Sequence, residues 1–206
     1  MSEQSLQPII EKLESLFSSF NDKFYDGGLQ KPIITVSPDA TKGAYGWCTS
    51  WKAWKLEGSG DDAGYYEINI CAEYLSRPFE LVAQTLLHEM VHLYNLQIGV
   101  QDTSRSGTYH NKKFKEAAEQ HGMVLGESGK SGYTDAKLND EAKAFVESLT
   151  DQKFQLFREP ARKMASQSKS SSSRKYVCPN CGCIIRATKE VFVICGDCDV
   201  EFEEEE

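Results

Sequence analysis

The sequence predicts an α+β domain followed by a small cysteine-bearing module. Three observations carry this. Apolar residues recur every three or four positions in the opening segment and again after residue 76, with β-favouring runs between them. A serine-rich basic stretch then interrupts the pattern. Beyond it lie two Cys-x-x-Cys pairs.

Residues 6–26 place Ile9, Leu13, Leu16, Phe17, Phe20 and Phe24 on one helical face, and Gly27-Gly28 stops the helix. Runs at Ile33 to Val36, around Ala44 to Trp54, and at Tyr65 to Ile70 read as three antiparallel strands, a small antiparallel sheet. The Gly/Asp loop Glu57 to Gly64 separates the last two. A helix of roughly five turns follows, with Ser76 as expected N-cap, Pro78 and Glu80 in its first turn and Gly99 beyond its end. Gln101 to Gly107 is polar and expected to be a mobile loop. Asn111 to His121 and Asn139 to Phe157 are expected helices.

The expected organisation is a domain over 1–157, a linker over 158–175 and a terminal module over 176–206. Their net charges are −7, +5 and −6 within the chain total of −8. This balance argues against an obligate nucleic-acid coat and confines any phosphate contact to a local patch. The longest apolar runs fall short of the ~18 residues that span a bilayer. MSEQSLQPII lacks the basic and apolar regions of a signal peptide. Seven cysteines, four of them in spaced pairs, suit metal ligation in a reducing compartment better than a disulfide framework. The expected location is cytoplasmic, with nucleoid association open.

His88-Glu89-Met90-Val91-His92 is an H-E-x-x-H motif within the long helix. Positions i and i+4 share a face, so both imidazoles can reach one Zn²⁺ at about 2.0–2.1 Å, and Glu89 can hold water without being a ligand. A catalytic zinc needs a third protein ligand. Asn95 and Ile98 stand where the metzincin continuation requires glycine and histidine, which excludes that class. Glu116 or Glu119 could serve as in a gluzincin. His110, at the entry to the next helix with Phe114 anchoring that turn, is favoured over them. His121 fits a surface or capping role. With zinc lowering the pKa of water toward ~7, Glu89 would take its proton and later protonate a leaving amine. Tyr109 and Tyr133 are candidate oxyanion donors, with packing as the simpler role of each.

The run INICAEYLSRPFELVAQTLLHEMVHLYN, followed by Tyr109-His110-Asn111-Lys112-Lys113-Phe114, resembles the SprT-like zinc metallopeptidase family, whose third histidine lies in an H-x-x-x-F segment. The resemblance spans roughly residues 6–157. It implies a zincin-like fold, His88, His92 and His110 as zinc ligands, Glu89 as catalytic glutamate, and a peptidase. Prokaryotic members commonly carry a C-terminal zinc ribbon. The eukaryotic relative Spartan, similar in its protease domain, cleaves proteins crosslinked to DNA, which suggests a DNA-associated protein substrate. No evident ubiquitin-binding or clamp-binding tail accompanies the motif in this sequence.

Tyr45, Trp47 and Trp51 share strand parity, with Gly43 and Gly46 permitting close approach; the segment could line a cleft, or its rings could bury against the first helix. Trp54 could stack on a nucleobase, although Asp61 and Asp62 oppose that. Cys178, Cys181, Cys195 and Cys198, with thirteen residues between the pairs, read as a zinc ribbon, its knuckles joined by a hairpin of Ile184 to Ala187 and Val191 to Ile194. Gly182 and Gly196 suit its turns. Cys183, Cys48 and Cys71 are expected bystanders. Tyr176, Arg186, Lys189 and Phe192 could form a nucleic-acid face, opposed by Glu201 and Glu203 to Glu206; the linker cations Arg158, Arg162, Lys163, Lys169, Arg174 and Lys175 are better placed for phosphate.

The expected cofactors are therefore two zinc ions, one catalytic and one structural, and the expected partner is a protein substrate, with DNA as a candidate and no membrane. A non-catalytic zinc-binding adaptor for nucleic acid or protein is the alternative, and a zinc hydrolase of small amides a third.

Overall fold

A computed structural model describes residues 5–39, 43–58, 60, 63–127, 129–149, 153–160 and 173–205. The chain divides into two compact units, Met1–Pro160 and Ala161–Glu206. Asp61, Asp62, Arg162, Lys163 and Lys169 lie outside the described residues.

In the first unit, helix α1 (Gln7–Phe24) buries Ile9, Leu13, Leu16, Phe17 and Phe20, the face anticipated from their spacing. Strands β1 (Ile33–Ser37), β2 (Gly46–Cys48) and β3 (Glu67–Cys71) form one sheet in the order β1-β3-β2. β2 is antiparallel to β3, but β1 is parallel to it, so the sheet is mixed and not wholly antiparallel as expected. The chain reverses between β1 and β2 and again between β2 and β3, so β1 and β3 run the same way. β3 is buried from Ile68 to Cys71 and inserts between the two earlier strands. The stretch around Ala44 to Trp54 gives only a three-residue strand, plus an isolated bridge between Trp54 and Tyr65.

A 3₁₀ turn (Ala72–Tyr74) leads into α2 (Phe79–Gln97). Pro78, not Ser76, occupies its N-cap; the Ser76 hydroxyl instead bonds back to the Glu73 carbonyl. Gly99 closes the other end at φ +71°. α2 packs on the sheet and on α1 through Val82, Leu86, Leu87, Met90 and Leu93, all fully buried.

The segment expected to be a mobile loop is a hairpin. β4 (Thr103–Ser104) pairs with β5 (Tyr109–His110), and Arg105, Ser106 and Gly107 take the left-handed backbone that turns it. Helix α3 (Lys112–Gln120) follows, its N-terminus capped by Asn111 accepting from the N–H groups of Lys113 and Phe114. β6 (Met123–Leu125) and β7 (Ala136–Leu138) form a second hairpin. α4 (Asp140–Ser148) starts on the Asn139 cap as expected but ends well before Phe157. Leu149 is extended, and Phe154 stacks on Phe79 with ring centroids 5.7 Å apart.

The second unit is a three-stranded antiparallel sheet in the order β10-β8-β9, from β8 (Arg174–Val177), β9 (Ile184–Ala187) and β10 (Glu203–Glu205). β9 pairs with β8 and not with Val191 to Ile194, so Arg174 and Lys175 belong to a strand. Its core is small: Tyr176, Cys178, Cys195 and Phe202. Among the described residues no helix is long and apolar enough to cross a membrane.

Candidate metal centre and its cleft

α2 presents His88 and His92 one turn apart, and β5 brings His110 to them. The Nε2 atom of His110 lies 3.2 Å from that of His88 and 3.0 Å from that of His92. Three ligands about 2.05 Å from a tetrahedral zinc stand about 3.3 Å apart, so these separations suit one ion. The donor chemistry agrees. One imidazole proton cannot satisfy two neighbouring lone pairs at once, whereas a cation at the common point engages all three.

The three rings rest on Phe114, which is fully buried, with centroids 4.7, 4.7 and 4.6 Å from those of His88, His92 and His110. His110 is held through its backbone. Its N–H donates to the Ser131 carbonyl and its carbonyl accepts from Tyr133 N–H. Gly132 lies between those two contacts.

Burial, reinforced by His92 and His110, holds His88 well below its ordinary pKa, and burial with the His92 charge pulls His110 down to about 4. Both are thereby kept neutral, the form that ligates metal. Burial also opposes charge on His92, but a hydrogen bond with Asp102 and the charges of Glu89 and Asp102 outweigh it, and its pKa is raised.

Glu89 is 6% exposed and lines the same cleft as His88 and His110. Burial raises its pKa to about 7, with Asp102 adding to the rise and His92 and the backbone N–H of Cys48 opposing it. The cleft has a volume of about 390 Å³. One wall is Gly43 to Gly46, running into the edge strand β2; the other is Thr134 to Ala136. Gly46 is needed for this closeness, since a Cβ there would stand 2.7 Å from the Asn69 carbonyl oxygen.

Several expected site residues lie elsewhere. Glu116 and Glu119 face solvent in pairs with Lys112 and Lys115. His121 stacks on Tyr25 at 4.1 Å and its Nδ1 donates to the Phe24 carbonyl. The Tyr109 ring lies under the Arg105 guanidinium and Tyr133 under Lys115. Two rings of the β2 region, Tyr45 and Trp51, are exposed and Trp47 is half-buried. Tyr45, 50% exposed, lies edge-on to Tyr74 with Arg77 over its face at 4.0 Å. The Trp54 indole N–H is engaged by Glu67.

Sequence reasoning missed Asp102, Asn95 and Gly132. Asp102 Oδ2 is 2.7 Å from His92 Nδ1 and accepts from Asn95 Nδ2 at 3.0 Å. Its one sequence signal was an acidic residue in the interval between His92 and His110. Gly132 had none beyond its place in a glycine- and serine-rich run.

In the second unit the sulfurs of Cys178, Cys181, Cys195 and Cys198 all lie within 4.8 Å of one another. Cys181 and Cys195 are 3.7 Å apart, matching the edge of about 3.8 Å expected for a ZnS₄ tetrahedron with 2.3 Å bonds. Gly182 turns the first knuckle at φ +71°; Asp199, not Gly196, takes the left-handed position at the second. Cys183 is exposed and outside the cluster, Cys71 is buried and Cys48 half-buried. Tyr176 is buried in the module's core, so it is absent from the proposed nucleic-acid face, whereas Phe192 is 87% exposed. Three of the linker cations meet carboxylates: Arg158 pairs with Glu73, Arg174 with Glu204 and Lys175 with Glu205.

A sequence model described as the SprT-like family matches residues 13–135, a span that begins within α1 and holds the mixed sheet, α2 and all three imidazoles. No curated protein and no solved structure gives a significant match.

Proposed function

Because this chain belongs to the SprT-like family, we propose that it is a zinc-dependent endopeptidase that hydrolyses peptide bonds of protein substrates. The observation that carries the proposal is the convergence of three imidazole nitrogens beside a buried glutamate in an open cleft.

His88, His92 and His110 would hold the catalytic zinc, and Cys178, Cys181, Cys195 and Cys198 a structural one. When bound at the histidines, zinc supplies a Lewis acid for the scissile carbonyl and acidifies water. Glu89 does the proton work: its carboxylate, oriented by the Cys48 N–H, takes a proton from the attacking water and delivers it to the departing amine. A carboxylate beside both the water and the leaving group can perform both transfers. β2 lies at a sheet edge along the cleft, so an extended peptide can be aligned there as a further strand.

In the cysteine module, four buried side chains are too few to fold it alone, which supports zinc as its organiser. The family resemblance supports DNA-associated proteins as substrates, with the linker or ribbon as the candidate DNA contact. The free cysteines support a cytoplasmic location.

The test is cleavage of an unfolded protein by the zinc-loaded chain, with and without single-stranded DNA at fixed salt. Fragments that vanish on chelation are expected. A chain holding zinc at both sites that cuts nothing under either condition would instead be an adaptor.

A further inference from the structure

We propose that Asp102 is the positioning residue of the histidine centre, fixing the tautomer and ring plane of His92 and, through its backbone, the strand that carries His110. This rests on the metal-centre reading above.

An ionised carboxylate only accepts hydrogen bonds. Its oxygen 2.7 Å from His92 Nδ1 therefore requires the ring proton there, which leaves the Nε2 lone pair facing His110 Nε2 at 3.0 Å. Asp102 is 6% exposed, and burying a carboxylate is costly unless it is held. Asn95 holds it. Three residues beyond His92, it shares that helical face and donates from Nδ2 to the same Asp102 oxygen at 3.0 Å.

The backbone of Asp102 reaches the other ligand. Its carbonyl accepts from Asn111 N–H at 2.9 Å, Asn111 Nδ2 donates to the Gln101 carbonyl, and Thr103 pairs with His110 across the β4–β5 hairpin. On the helix side Val100 N–H donates to the Asn95 carbonyl at 2.7 Å. Residues 100–103 thus tie α2 to β5 at the level of the imidazoles. A carboxylate behind a ligating histidine orients it and raises its basicity, and removing such a partner weakens metal binding about 10–100-fold.

The test uses the full chain, with zinc affinity read by chelator competition, the absorption spectrum of the Co²⁺-loaded histidine site, and the melting of the zinc-free protein. Asp102→Ala is expected to lose zinc affinity at the histidines by about 10–100-fold with an altered Co²⁺ spectrum, the four-cysteine site serving as internal standard. Asp102→Asn keeps an acceptor for Nδ1–H and should retain the spectrum with about a tenfold loss. If Asp102→Ala does not fold, Asp102→Asn carries the test, because unchanged affinity there overturns the assignment. So does an Asp102→Ala chain that binds zinc as tightly as the parent. A parent chain that takes up zinc only at its cysteines overturns the metal centre itself.

Discussion

Gly132 lies against the backbone of His110 with no room for a side chain between them: a Cβ at 132 would stand 2.0 Å from the His110 carbonyl oxygen. Gly132 also sits at φ +78°, which disfavours any other residue. Gly132→Ala must push β5 away or distort the Ser131 and Tyr133 contacts that hold it. We expect a loss of about 1–3 kcal/mol in stability and weaker zinc binding at the histidines. Denaturant titration with zinc competition checks both.

Phe114 supports all three imidazoles, so its truncation should reach the metal as well as the core. Phe114→Ala is expected to cost about 3–5 kcal/mol. Phe114→Leu, which fills more of the space, should fold better yet still lower zinc affinity. An unaltered affinity in a folded Phe114→Leu chain would show that the rings do not depend on it.

The zinc-free protein should respond to pH in two opposite ways. His88 and His110 have folded pKa values below the unfolded value near 6.5, so their contribution is full above that pH and is lost as pH falls through the lowered folded values, about 4 for His110. Glu89 is raised to about 7, so its contribution is present below about 4.5 and lost as pH rises through 7. His110→Gln should therefore flatten the fall in urea midpoint between pH 7 and 5. Glu89→Gln should stabilise the zinc-free chain by about 1–3 kcal/mol at pH 8 and much less at pH 5.

The cysteine module should depend on zinc while the first unit keeps its own core. Cys195→Ser, at a buried position of the four-cysteine cluster, is expected to remove one zinc per chain and the ordered amide signals of β8, β9 and β10. The signals of α1 and α2 should persist.

The elements whose periodicity is strong were legible in sequence: the buried face of α1, the span of α2, the presence of α3 and the start of α4 at Asn139. The H-E-x-x-H helix and the paired cysteines announced themselves because the chemistry imposes a local spacing. What was hidden depends on contacts distant in sequence. β1 is parallel to β3 because the chain reverses twice between them, and β3 lies between β1 and β2, an order that no local pattern encodes. The β4–β5 hairpin reads as polar loop because strands of two residues are too short to alternate. Asp102 and Gly132 gain meaning only where the folded chain brings them to His92 and His110.

The central claim is tested most directly by Glu89→Gln, with metal content and cleavage of an unfolded protein measured on the same sample. The account predicts two zinc ions per chain in both parent and variant, with cleavage by the variant reduced at least 100-fold, the lower range for loss of a general base. A variant that cuts as fast as the parent, or a parent that cuts with its histidine site empty of zinc, would contradict it.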